Sequence, residues 1–252
     1  MTWLNWGLYF TVGLALASYA PHIGNEQGNI HGNDKISIFE PSQSLFHVED
    51  GPSKEEGASV ARTLVHRESL FSVNTIHTFK SSHDESKVSV PVSSMEYFAD
   101  CDGDGDPYWL VIDVGSPNQD IIRGSPYSFS IRDGDHPSWD DVAENYPGKR
   151  EGSNAGSPRI QLFGKLEFVG FYNPFDPRKL ALEKCFLERH PDASLWLPGN
   201  VVSPHKSHWT KLRVESVHII GGFGDVAYIG TIDAKSYHEA EIIEPPAEEE
   251  SN

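Results

Sequence analysis

The densest run of side chains that could do chemistry is Asp100–Gly105, where aspartates alternate with Cys101 and Gly103. Three carboxylates at alternate positions, followed by a glycine that allows a sharp turn, match the opening of a Ca²⁺-binding loop. An EF-hand loop also needs a bidentate glutamate at its twelfth position, and Val111 stands there instead. Aspartate and glycine are equally typical of a solvated turn between strands. The run therefore predicts a strand connection, with a Ca²⁺ site as the alternative.

Signals of other chemistry are weaker. Residues 222–227 match the Gly-x-Gly-x-x-Ala pattern of dinucleotide-binding loops, but a strand-like segment follows where that fold needs a helix, so we interpret them as a glycine-rich hairpin. His205 and His208 lack the cysteine or His-Glu-x-x-His context of a zinc site and are expected to be exposed loop residues. No Gly-x-Ser-x-Gly nucleophile motif occurs. The sequence thus predicts neither catalytic residues nor metal ligands.

Composition argues against two classes of partner. The chain has 252 residues with 37 acidic and 20 basic side chains, a net charge of −17. A nucleic-acid backbone requires clustered Lys and Arg, so no nucleic-acid partner is expected. Beyond the first twenty residues no apolar run reaches the about 18 residues of a membrane span, so no span is expected either. The 17 prolines and 22 glycines between short apolar runs favour a strand-rich, turn-rich domain.

The N-terminus has the features of a secretion signal. Residues 4–17 form an apolar segment that suits the core of a signal peptide and is too short to span a membrane. Ala15 and Ala17 fit a cleavage site after residue 17. We therefore predict a signal peptide over residues 1–17, a loose polar segment over 18–50, and a destination outside the cell or in an endosomal, lysosomal or vacuolar compartment.

The two cysteines have two interpretations. Cys101 and Cys185 could form one disulfide, as the oxidising secretory pathway allows. Alternatively, Cys185 is simply a buried apolar residue, because it lies with Leu182 and Phe186 on one face of a predicted helix. The sequence leaves both open.

Hydrophobic periodicity predicts a helix, a set of strands, a second helix and further strands. The Ser53–Glu56 capping box opens the first helix, which runs to about His66, and Asp176–Pro177 opens the second, which ends before His190. The predicted strands are residues 70–79, 88–92, 107–114, 126–132, 159–169, 211–220 and 226–232.

This order predicts a mainly β, α+β fold. The strand of residues 107–114 is apolar on both faces and should be covered on both sides. One domain is expected over residues 51–241. Residues 242–252, with two prolines and four glutamates, are predicted to be an acidic disordered tail.

Five segments in this order resemble the CREG family of secreted glycoproteins, built on the FMN-binding split barrel of the pyridoxamine-phosphate-oxidase superfamily. They are the opening helix and strand of residues 58–76, the strand 126–132 after the turn at 118–122, the strand 159–166 with its mid-strand glycine, the helix end 185–191, and the hairpin 217–224. Together they cover roughly residues 55–240.

The resemblance implies a split β-barrel with peripheral helices that forms a homodimer with two symmetric grooves. Flavin-binding relatives hold the FMN phosphate there, because a dianion needs positive charge and several donors. The strands placed against that groove, residues 88–92 and 108–114, contain no Arg or Lys. CREG-like proteins lack bound flavin, so no cofactor is expected. Should FMN bind, the nearest candidate residues are Ser93, Ser94, Arg123 and Arg132.

Three functions are consistent with these patterns. The leading one is a secreted or endolysosomal homodimer that binds an unidentified protein or small-molecule ligand without turning it over and without tightly bound flavin. The alternative is an FMN-dependent oxidoreductase, in which the cofactor does the redox chemistry and the protein positions it. The third is a Ca²⁺-dependent secreted module acting through residues 100–106. Fold alone does not choose among them.

Overall fold

A computed structural model gives the fold and describes residues 52–82, 86–143, 146–147, 153–224 and 226–245. The predicted signal peptide, the loose segment 18–50 and residues 246–252 of the predicted tail lie outside these ranges. The described residues form α1 (Lys54–Arg67), β1 (Leu70–Lys80), β2 (Lys87–Ala99), β3 (Tyr108–Ile112), α2 (Ser116–Ile122), β4 (Tyr127–Arg132), β5 (Arg159–Val169), α3 (Pro177–Arg189), β6 (Ser207–Ile220), β7 (Ile229–Asp233) and α4 (Ala234–His238). Short 3₁₀ helices cover Asn154–Gly156 and Pro191–Trp196.

Six of these strands close a barrel. They pair antiparallel in the order β1–β2–β3–β6–β5–β4, and β4 returns to β1. One edge of the long β6 strand pairs with β3 over residues 207–211 and with β7 over 216–220. Closure pairs both edges of every barrel strand. The predicted class, a mainly β barrel with peripheral helices, is confirmed.

The barrel interior is filled by alternate residues of its strands. Phe71 stacks on Phe98 with ring centroids 5.0 Å apart, and it also contacts the rings of Trp109 and Phe129. Helix α1 begins with the predicted capping box at Ser53 and buries its apolar side against this core, with Leu64 fully buried. Burying each such side chain contributes about 1.5–3 kcal/mol.

Strand β3 is covered on both faces, as predicted. Trp109 and Val111 point into the barrel, whereas Leu110 belongs to a second apolar cluster with Phe186 of α3 and Trp209 of β6. A disulfide between Cys101 and Cys185, with Cα atoms 5.8 Å apart, ties α3 to the segment before β3. The disulfide interpretation of the cysteines is therefore confirmed.

Three elements differ from the sequence prediction. Strand β2 continues from Val92 to Ala99 and β6 starts at Ser207, because polar residues such as Ser94 and His208 interrupt the apolar pattern without ending the strand. Residues 116–122 form a helix instead of a turn.

A β-bulge lies between Phe163 and Gly164, where any Cβ at residue 164 would collide with the Arg213 carbonyl oxygen.

Candidate functional site

A cleft opens where β2 and β3 separate. These strands pair only at Phe98–Trp109 and Ala99–Tyr108. Next to this short ladder lies a cavity of about 200 Å³, which we call the β2–β3 cleft. It is lined by Met95, Glu96, Tyr97, Leu110, Ile112 and Trp196. The cleft is therefore mainly apolar and aromatic, with one carboxyl group.

The aromatic wall of the cleft is held in place by the segment after α3. The Tyr97 hydroxyl donates to Asp192 Oδ2 at 2.7 Å, and this hydrogen bond raises the pKa of Tyr97 to about 12. The Tyr97 ring stacks on His190 at 4.3 Å. Burial lowers the pKa of His190, so its neutral ring donates from Nε2 to the Phe98 carbonyl oxygen at 2.9 Å. The cleft is thus preorganised.

The polar group of the cleft is acidic. Glu96 is half-buried, and burial raises the pKa of its carboxyl group. None of the described residues that line the cleft is Lys or Arg. An FMN phosphate needs fixed positive charge and several donors, and a carboxylate beside it would repel it. The residues of the β2–β3 cleft therefore do not fit a flavin phosphate.

The four residues proposed for FMN lie on separate elements. Ser93 and Ser94 are adjacent on β2, Arg123 follows α2, and Arg132 ends β4. The Arg132 guanidinium pairs with Asp135, with Nε 2.9 Å from Oδ2, whereas Arg123 lies 3.6 Å from Asp120. Each arginine thus has its own carboxylate partner, and none of the four lines the β2–β3 cleft.

Ser93 belongs instead to a polar network on the outside of the barrel. Its hydroxyl donates to Asn74 Oδ1 at 2.9 Å, and Asn74 Nδ2 donates to Ser130 Oγ at 2.8 Å. We call the patch of uncharged polar residues around Asn74 the outer polar face; by strand register it consists of Ser72, Asn74, Ser93, Ser128, Ser130 and Gln161, with the Arg132–Arg159 pair and Met95 at its border. All six are uncharged.

The acidic loop, residues 100–106, forms turns that connect β2 to β3, which confirms the turn interpretation. Asp102 and Asp104 both accept from Nζ of the buried Lys211, the latter at 2.8 Å. Gly105 has φ +82°, and a Cβ there would overlap the Arg62 guanidinium. The two carboxylates thus hold an ammonium group. Among the described residues, no group of three or more His, Cys, Asp or Glu side chains could hold a metal ion.

Asp106, the last residue of the acidic loop, is buried. Its Oδ1 accepts from the Val214 backbone N–H at 2.9 Å and lies 2.9 Å from His238 Nε2, while Oδ2 accepts from Arg213 at 3.2 Å. Burial alone would raise the pKa of Asp106, but these hydrogen bonds outweigh it and lower that pKa. This carboxylate is a structural anchor between β3, β6 and α4.

The remaining motifs have structural roles. Residues 222–227 connect β6 to β7 with no dinucleotide-type helix after them, so the hairpin prediction is confirmed. His205 is exposed in a loop, as expected. The prediction for His208 was wrong, since it lies within β6 and its Nδ1 is 2.7 Å from Asp113 Oδ1. The apolar pattern around it was too weak to reveal the strand.

A comparison with known protein families shows to which family the chain belongs. The family model described as CREG, beta-barrel matches residues 52–239, which is most of the chain. The chain belongs to the CREG family. Its fold is accordingly the split barrel of that family, with helices at the periphery. A search of curated proteins finds no match.

Solved structures similar to this CREG-family chain share little sequence with it. A heme-binding protein from Mycobacterium smegmatis is 19% identical with a TM-score of 0.48, over 76% of this chain and 62% of that one, so the chain spans under two thirds of the mycobacterial protein. General Stress Protein 26 from Bacillus anthracis is 11% identical with a TM-score of 0.38, over 71% of this chain and 97% of that one.

Sequence reasoning missed the residues that form the cleft. Trp196 lies in a 3₁₀ helix that no periodicity marks, and Glu96 looks like an ordinary outward strand residue. The one usable signal is Tyr97, an aromatic residue at the point where the polar alternation of β2 ends.

In the described part of the chain, no helix is long and apolar enough to cross a membrane.

Proposed function

We propose that this CREG-family chain is a non-catalytic, homodimeric binding module of the secretory pathway that works without bound flavin. The observation that carries the proposal is the β2–β3 cleft, whose described residues offer aromatic and apolar surface with a carboxyl group and no cation. A flavin-dependent enzyme of this fold would need positive charge for the cofactor phosphate. Binding without chemistry is what this lining supports.

The occupant we propose is an apolar or aromatic side chain of a partner protein. The cleft, at about 200 Å³, is smaller than the about 300–1,000 Å³ typical of small-molecule sites. Anchor residues that fill a compact, preorganised pocket supply much of the energy of a protein interface. Met95 at its rim is 60% exposed, so apolar surface continues outward from the cleft.

The outer polar face supports the homodimer. Two copies of a chain with a net charge of −17 repel each other unless the surfaces that meet avoid acidic side chains. The six residues of the outer polar face are all uncharged, and hydrogen bonds order Ser93, Asn74 and Ser130 among them. A two-fold interface places the same patch of both copies together, which this composition permits.

The Cys101–Cys185 disulfide supports the secretory location. Such bonds form and persist in oxidising compartments and are rare in the cytosol. The predicted signal peptide over residues 1–17 points the same way.

A titration followed by NMR tests the cleft. The probe is N-acetyltryptophanamide, a capped aromatic side chain, and we expect it to shift the ring signals of Tyr97 and Trp196. Met95→Lys should abolish these shifts because it places a charge at the apolar rim. The matched control is Val201→Lys in a loop, where residue 201 is 96% exposed. Shifts that are absent in the wild type, or that survive in Met95→Lys, would refute the proposed occupant.

Light scattering tests the homodimer. The full chain should have twice the chain mass at micromolar concentration, and Ser93→Arg should yield monomer because a two-fold interface would bury the new charge twice. Val202→Arg, in an exposed loop, should leave the dimer intact. A wild-type monomer would overturn this part of the proposal.

A further inference from the structure

A second groove lies at the start of β2, far along that strand from the cleft. It is bounded by the end of β1, the start of β2 and the turn that follows α2, and its volume is about 460 Å³. This lies within the about 300–1,000 Å³ range of small-molecule sites. We call it the basic groove; its polar lining side chains are Thr78, Lys87, Asp120, Arg123 and Ser125.

The described residues compensate the positive charges at this groove only weakly. Lys87 lies directly opposite Lys80 in the β1–β2 register, and like charges at such a pair repel each other. Within the described residues, neither lysine has a carboxylate within ion-pair distance. The Arg123 guanidinium, 61% exposed, approaches Asp120 only to 3.6 Å. Among the described residues, Lys87 therefore has no counter-ion and Arg123 has only a distant one.

The acid among the described lining residues, Asp120, already has other partners. The Asp120 side chain is only 2% exposed; Oδ2 accepts from Thr75 Oγ1 at 3.2 Å, and Oδ1 lies 2.9 Å from His77 Nδ1. Its charge is therefore partly offset, and it holds Arg123 at the groove mouth.

The turn that carries Arg123 is anchored to β1. The Ser125 hydroxyl accepts from the Ile76 backbone N–H at 2.7 Å and donates to the Pro126 carbonyl oxygen at 2.6 Å. This fixes the turn against the strand, and Arg123 and Lys87 both line the groove. A binding site requires its charged groups to be positioned before the ligand arrives.

We propose that the basic groove binds a small hydroxylated molecule that carries a phosphate or sulfate monoester. The oxyanion lies between Lys87 and Arg123, whose donors match its charge and its acceptor oxygens. The volume leaves room for more than the anion alone, and Thr78 presents a hydroxyl group to the remainder of the molecule. The site is separate from the cleft and from the outer polar face, and its test does not depend on either.

Calorimetric titration of the full chain tests the proposal. The probes are glucose 6-phosphate, glucose 6-sulfate, inorganic phosphate and glucose. We expect one saturable site per chain for a charged sugar ester and none for glucose, with weaker binding at high salt because the charges are exposed. Comparing the two esters distinguishes a phosphorylated from a sulfated ligand.

Three variants localise the binding. Lys87→Gln and Arg123→Gln should each weaken the ester by about tenfold, since each removes a charge-assisted hydrogen bond. Lys184→Gln, which removes an exposed positive charge from α3, should leave the affinity unchanged. The melting temperature of each variant checks that it is folded.

Three results would overturn the proposal. One is the absence of saturable heat with either ester. Another is a loss of affinity in Lys184→Gln as large as in Arg123→Gln, because the effect would then reflect net charge. The third is inorganic phosphate binding as tightly as glucose 6-phosphate, which would exclude a role for the rest of the groove.

Discussion

The acidic loop and the basic groove lie at opposite ends of β2 and carry opposite charges, but they differ in how those charges are compensated. In the acidic loop, Asp102 and Asp104 share Lys211, while Asp106 accepts from Val214 and Arg213. In the basic groove, Lys87 has no carboxylate partner among the described residues, and its cross-strand neighbour outside the groove is Lys80.

This difference shows which charged segments indicate a ligand. The acidic loop is conspicuous in the sequence, but its carboxylates form hydrogen bonds and ion pairs that stabilise the fold. Their role is therefore structural, and their charges already have partners. The basic groove is inconspicuous because Lys87 and Arg123 are 36 residues apart in sequence. Uncompensated charge in the folded chain, rather than charge density along it, is what points to a binding site.

The largest expected effect comes from removing the disulfide that anchors the acidic loop. Cys185→Ser opens a link between residues 84 positions apart, and we expect a loss of about 2–5 kcal/mol in the free energy of unfolding. Denaturant titration measures this. Ester binding at the basic groove should persist in the folded variant, and a parallel loss of binding would contradict the independence of the two regions.

The second effect concerns the inner carboxylate of the acidic loop. Asp106→Ala leaves the buried Val214 N–H without its acceptor, so we expect a loss of about 1–3 kcal/mol by the same measurement. The control is Asp102→Ala, because Asp102 is half-exposed and Lys211 keeps Asp104. An equal loss in the free energy of unfolding in the two variants would show that burial does not determine how much each loop carboxylate contributes to stability.

The third effect is a dependence of stability on pH. The pKa of Asp106 is lower in the folded chain than the ordinary value of about 4, so its contribution is complete above that value and is lost as the pH falls through the folded pKa. Wild type should lose stability in acid more steeply than Asp106→Ala. The free energy of unfolding is measured by urea titration between about pH 5 and pH 2. An equal fall of this free energy with pH in wild type and Asp106→Ala would contradict the assignment.

The smallest effect concerns Lys80, the cross-strand neighbour of the groove residue Lys87. Lys80→Gln removes one of two opposed like charges, so we expect a gain of about 0.2–1 kcal/mol in low salt. Added glucose 6-phosphate should stabilise the wild type and reduce that difference. A destabilised Lys80→Gln in low salt would show that the two lysines do not repel each other.

Much of the fold could be predicted from the sequence. The capping box at Ser53, the Asp176–Pro177 helix start and the two-sided apolar strand are local signals, and each appears in the structure. Pairing between distant segments could not be predicted, since it depends on strand register. The same limit applies to Lys80 facing Lys87, which only the register of the hairpin brings together.

The candidate site was less accessible to sequence reasoning. The absence of basic residues near the expected groove could be read from β2 and β3, but its walls could not. Trp196 reaches the cleft from a 3₁₀ helix after α3, through a tertiary contact that leaves no periodicity. Ser93, Arg123 and Arg132 were grouped by nearness in sequence, whereas the fold assigns each a different neighbour.

The most direct test of the account is the visible absorption spectrum of the full chain, purified from a secreting host without added cofactor and then titrated with FMN. A split barrel whose cleft has a carboxyl group and no cation should be colourless and should leave flavin fluorescence unquenched at micromolar FMN. Absorption bands near about 450 nm, or quenching at stoichiometric FMN, would contradict the proposed function and identify a flavin protein.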